Sequence, residues 1–131
     1  MRRVFIVFAM LAILCSACSK KEAAASGEPD VINSLSMNEE HYLSLIANRD
    51  SIDDKYAFAE EVIQMCKDNS FHTIKFSYDM GYPTGIYINV YLTKEDFEKG
   101  ESFMKIEYSQ GDGLLEYNIF DNPEEFELAV K

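Results

Sequence analysis

Cys15 and Cys18 stand three apart, with only Ser16 and Ala17 between them. Thiols at that spacing can exchange a disulfide or supply two of the four ligands of a tetrahedral zinc site. A redox pair needs both cysteines at a helix start inside a folded domain, and a zinc site needs further Cys or His at ligand spacing. Here an unbroken apolar run precedes the pair, Lys20 and Lys21 follow it, and neither condition is met. Other reactive residue types fare similarly. Asp50, Asp53, Asp54 and Glu61 put acids at positions 1, 5 and 12 of a calcium loop, but Ile52 and Lys55 stand where that loop needs an oxygen ligand and a glycine. Those acids are better read as helix capping. His41 and His72 have no second ligand at helical spacing, and Cys66 lies on the apolar stripe of a helix, where it reads as a small buried hydrophobe. No nucleophile elbow, phosphate loop or dinucleotide fingerprint is present. The sequence therefore points to no metal, no cofactor and no catalytic residue.

The cysteine pair makes more sense as an address. Arg2 and Arg3 form a positive start, Val4 to Leu14 are apolar without interruption, and Ser16 and Ala17 are small residues of the kind a signal peptidase accepts. The apolar run is too short for a membrane span, which needs about 20 residues. Cys15-Ser16-Ala17-Cys18 resembles the lipobox of bacterial lipoproteins. The resemblance implies a diacylglyceryl thioether on Cys18, cleavage just before it, and a cell-envelope location facing the periplasm or the exterior. Cys15 as acceptor would put Leu14 where a small residue is required, so Cys18 is the lipidation site. The expected division is a signal peptide over 1–17, a lipidated N-terminus and tether over 18–36, and a globular domain over 37–131. The tether reading rests on the small, polar, aperiodic composition of residues 19–36, which would span roughly 25 Å as a flexible chain.

Charge bears on partners. Asp and Glu number 23 against 12 Lys and Arg, a formal net charge of -11, and no basic stripe occurs. Nucleic acid is an unlikely partner for such a chain. Loss of Arg2 and Arg3 with the leader takes the charge to -13.

A binding surface is legible only if the elements that position it are. Tyr42, Leu45 and Ile46 at helical spacing predict a first helix over about 37–48. Ile52, Tyr56, Ala59, Ile63 and Cys66 predict a second, capped by Ser51 with Asp54 and stopped at Asn69. From Phe71 the period becomes two. Four strands are predicted, carrying Ile74, Phe76 and Tyr78; Ile86, Ile88, Val90 and Leu92; Met104, Ile106 and Tyr108; and Leu115, Tyr117 and Ile119. A capped helical turn at residues 93–100 and a short C-terminal helix from Asn122-Pro123 complete the plan. The expected fold is α+β, with two N-terminal helices packed on a four-stranded antiparallel meander. On that sheet Tyr87, Asn89, Tyr91 and Phe103 would face away from the helices and form a partly aromatic patch.

These features together lead to an expectation of a lipid-anchored, extracytoplasmic binding or interaction module. Its partners would be the membrane, through the lipid, and an envelope protein or a second copy of the chain at the sheet face. A small envelope enzyme such as a hydrolase, and an immunity-type or structural lipoprotein, are the alternatives.

Overall fold

The backbone at Asn38 and Glu39 decides the start of the domain. Both residues have positive φ, 53° and 69°, the mark of a two-residue type I′ turn. The chain therefore reverses where a helix was expected. In the structure, a computed structural model that describes residues 27–78, 81–110 and 117–131, the turn joins β1 (Asp30–Met37) to β2 (Glu40–Ile46). Residues 30–36, expected within the tether, are thus part of the sheet. Gly27 N–H donates to the Asn48 carbonyl at 2.8 Å, so the fold begins before β1. In the segment expected to be helical, Leu43 and Leu45 are buried while Tyr42 and Ser44 are only half-buried, which is strand alternation.

Asn tolerates the left-handed region better than Glu does. Glu39→Gly should therefore stabilise the fold by roughly 1 kcal/mol, read as a raised midpoint in urea unfolding.

After β2, α1 (Lys55–Asp68) crosses over the sheet and delivers the chain to β3 (Gly85–Tyr91), which pairs parallel with β2. Then come α2 (Lys94–Lys99), β4 (Met104–Gln110) and β5 (Phe126–Val130). The sheet order is β1-β2-β3-β4-β5, antiparallel except at β2–β3. The protein is α+β, as expected, but with a five-stranded mixed sheet in place of the four-stranded meander. Among the described residues one helix, not two, comes ahead of the β3–β4 pair. The predicted strand at Phe71–Tyr78 is irregular backbone. The predicted strand at Leu115–Ile119 lies partly outside the described residues, and Tyr117–Phe120 contains no strand. The C-terminal helix is a single 3-10 turn, Pro123–Glu125, that leads into β5.

Helix α1 is capped by Asp54, whose carboxylate accepts from Ala57 N–H at 2.9 Å, and not by Ser51. It ends at Asn69 in the left-handed conformation, as its composition suggested. Its buried face is Phe58, Ala59, Val62, Ile63 and Cys66; Tyr56, expected on that face, is exposed. Against it lie Leu43, Leu45, Ile86, Ile88, Val90, Met104 and Ile106, all buried.

Residues 70–78 strap the core without joining the sheet. The Asn69 carboxamide donates to the Phe76 carbonyl at 3.0 Å and accepts from Phe76 N–H at 2.8 Å. The Tyr78 hydroxyl donates to the Cys66 carbonyl at 2.9 Å, and the Thr73 hydroxyl donates to the Val31 carbonyl. Burial pushes the Cys66 thiol from 9.0 up to about 12, and the Tyr78 phenol from 10.0 up to about 12. Raised values of this kind add stability below the unfolded-state pKa and lose it as pH climbs toward the folded one. Thermal stability should accordingly decline between about pH 9 and pH 12, and less steeply in Cys66→Ala, which itself costs about 1 kcal/mol at neutral pH through a small cavity.

Candidate functional site

Helix α1 covers one face of the sheet, so the side chains that alternate outward from β1–β5 share the other. Register fixes their rows. Leu35, Tyr42, Tyr87 and Glu107 are successive partners across β1–β4, and beside them run Asn33, Ser44, Asn89 and Lys105. Together these eight residues line a shallow depression of about 360 Å³ on the open face.

Parallel pairing of β2 with β3 sets Tyr42 directly beside Tyr87, at close to the spacing between strands. Their rings stack with centroids 5.2 Å apart and planes 16° from parallel. Gly85 makes room for this arrangement. A Cβ at residue 85 would stand 3.2 Å from Tyr87 Cε2 and 3.4 Å from its hydroxyl, so the ring lies back over a residue without a side chain. The Tyr42 hydroxyl donates to Glu40 Oε2 at 2.6 Å. That bond to a carboxylate raises the Tyr42 phenol above its usual range; burial does the same for Tyr87, seconded by the charge of Glu40. Both rings are neutral at physiological pH. Lys105 and Glu107 are the charged residues of the lining and cancel, and Glu107 also accepts from Lys131 Nζ at 2.9 Å, so the depression carries no excess of acid on a strongly acidic protein.

Of the residues singled out from sequence, Tyr87, Asn89 and Tyr91 do share the open face. Tyr91 is partly covered at one end, edge-on to Phe97 of α2 at 5.2 Å. Phe103 is a correction. It precedes β4, so strand alternation does not reach it, and its ring packs against the core beneath the Lys55 ammonium of α1 at 4.8 Å. Tyr42, Ser44, Leu35 and Asn33 complete the face in its place. They were missed because their strands read as helix and tether; the signal that could have found them was the alternation of Tyr42 and Ser44 with Leu43 and Leu45. Cys18 lies outside the described residues.

The other chemical candidates are not brought together. His41 is half-buried with its pKa lowered by burial, its ring 5.3 Å from Phe76. His72 pairs with Glu28 at 3.0 Å, Asp54 caps α1, and Glu61 meets Arg49 at 3.4 Å. Among the described residues no three His, Cys, Asp or Glu side chains are grouped so as to hold a metal ion. Comparison of the chain with protein-family models, with curated proteins and with solved structures finds no match.

Proposed function

We propose that the chain is a lipid-anchored, non-enzymatic binding module of the bacterial envelope, and that it engages its ligand on the open face of the sheet. The observation that carries the reading is the stacked Tyr42–Tyr87 pair, set with Asn89 in a depression that no helix among the described residues covers. Tyrosine and asparagine on a rigid sheet offer large contact area and adaptable hydrogen bonds at low entropic cost. The anchor part of the proposal comes from Arg2 to Cys18. With the described fold reaching back to Gly27, only eight residues, nine Cα-to-Cα steps, separate it from Cys18, a reach of at most about 32 Å even when fully extended. The domain would thus meet ligands close to the membrane surface, nearer than a tether ending at residue 36 would allow.

Attachment is tested on the mature chain. Mass spectrometry of its N-terminal peptide should find an acylated Cys18, with Cys18→Ser left unprocessed and Cys15→Ser matured normally. An unmodified N-terminus beginning elsewhere would remove the anchor from the proposal. Binding is tested by recovering envelope components on the wild-type chain and on Tyr42→Ala/Tyr87→Ala in parallel. A component retained equally by both would exclude the open face.

A further inference from the structure

Beside the stacked tyrosines, Asn33, Ser44, Asn89 and Lys105 form a row of their own, each the register partner of the next across β1–β4. Neighbouring strands stand about 4.8 Å apart, so the row sets one polar side chain at each strand spacing. Asn33, Asn89 and Lys105 are exposed, and Ser44 is half-buried. No side-chain hydrogen bond to another described residue engages Asn33, Ser44 or Asn89. Two carboxamides and a hydroxyl thus keep their donors and acceptors for something outside the chain. The tyrosine rings lean away from this row. The Tyr42 hydroxyl reaches Glu40 and the Tyr87 ring lies over Gly85, in each case two residues back along the strand. The depression is the space so opened, with aromatic rings on one side and neutral polar groups on the other.

This lining selects against most classes of ligand. An anion is repelled by a chain of net charge -11, and a cation finds no excess of acid in the depression, where Lys105 and Glu107 cancel. A peptide strand finds no main chain to pair with, because β2 and β3, which floor the depression, are each bonded on both edges. An acyl chain would strip water from Asn33, Ser44 and Asn89 without replacing its hydrogen bonds. A sugar ring meets every condition. It is neutral, its C–H face packs on an aromatic ring, and its hydroxyls donate and accept as carboxamides do. Hydroxyls on alternate carbons of a pyranose also stand about one strand spacing apart, so neighbouring members of the row can hold one ring at two points.

We infer that the open face binds a neutral oligosaccharide, laid across the strands with its rings against Tyr42 and Tyr87 and its hydroxyls on Asn33, Ser44 and Asn89. The inference rests on the proposed binding role of this face and adds the class of ligand. The row crosses four strands, roughly 14 Å, which is long enough for a short oligosaccharide rather than a single sugar ring. Offset stacking of the two tyrosines leaves part of each ring face uncovered for the C–H face of a sugar.

An array of immobilised oligosaccharides, neutral, sialylated and uronate-bearing, probed with the full chain in a sugar-free detergent, tests it. Neutral glycans should be retained and acidic ones not, with affinity unchanged between about 0.05 and 0.5 M salt. Titration of a retained glycan should then show binding weakened by about tenfold in Asn89→Leu and in Asn33→Leu, which keep side-chain size and remove the hydrogen bonds. Monodeoxy analogues of that glycan give the same reading without altering the protein: loss of a contacted hydroxyl should weaken wild-type binding to a similar extent. No retained glycan, retention of acidic glycans alone, or affinity that falls with salt would overturn the ligand class. If an envelope component were then still held through Tyr42 and Tyr87, the open face would stand and the sugar would fall. A neutral glycan bound equally by wild type, by Tyr42→Ala/Tyr87→Ala and by both asparagine variants would overturn the inference and the open face together.

Discussion

Phe71→Ala is expected to destabilise the domain by about 4 kcal/mol, a large share of what a domain of this size has to lose. Phe71 is fully buried and packs edge-on against Phe76, with centroids 6.3 Å apart. Its position follows from the end of α1. Asn69 turns the chain in the left-handed conformation, and its carboxamide holds Phe76 from both sides, which drives residue 71 into the core two residues after the helix stops. A strand through residues 71–78 would instead have buried Ile74, Phe76 and Tyr78. In the structure Ile74 and Phe76 are only partly buried, and Tyr78 uses its hydroxyl to reach the Cys66 carbonyl. Ile74→Ala should therefore cost only about 1 to 2 kcal/mol, at most half as much as Phe71→Ala. Urea unfolding of the two variants checks the order. Equal losses would mean that the strap does not hold in solution.

This segment also shows why part of the fold was legible and part was not. Sequence periodicity reports burial, and a strap pressed against a core alternates much as a strand does. Nothing local in Phe71–Tyr78 says that its hydrogen bonds go to side chains such as Asn69. By contrast, Thr93 and Gly100 mark both ends of α2 by chemistry that acts locally. Thr93 Oγ1 accepts from Asp96 N–H at 3.2 Å, and Gly100 takes φ of 76°. Strands β3 and β4 were readable for a related reason: Ile86, Ile88, Val90, Met104 and Ile106 lie under the helix while their neighbours face out, so the period is unmixed.

β1 and β2 failed on different grounds. Exposed on both faces from Ile32 onward, β1 has no apolar period to read. In β2, Ile46 is buried although its neighbour Leu45 also is, and the adjacent pair with Tyr42 mimicked the spacing of a helix. Half of the candidate face was lost with those two strands. The half carried by Tyr87, Asn89 and Tyr91 survived because β3 was placed correctly.

The second large effect expected is on ligand binding. Truncating both Tyr42 and Tyr87 to alanine should weaken association by roughly 2 kcal/mol or more, about thirtyfold, because stacked aromatic anchors carry a disproportionate share of contact energy. The fold should survive, since the pair lies on the face away from α1 and adds nothing to the main core. Single substitutions separate the contributions. Tyr42→Phe keeps the stack but removes the bond to Glu40, and so tests the phenol alone. Gly85→Ala keeps both phenols but sets a methyl 3.2 Å from Tyr87 Cε2, which forces the ring to shift. If the stacked geometry is what the ligand recognises, Gly85→Ala should impair binding more than Tyr42→Phe does. Because both phenols titrate above their usual range, binding that depends on them as donors should stay constant from about pH 7 to pH 9. Loss of binding in step with loss of the urea midpoint would assign the pair to stability alone and remove the open face as the site.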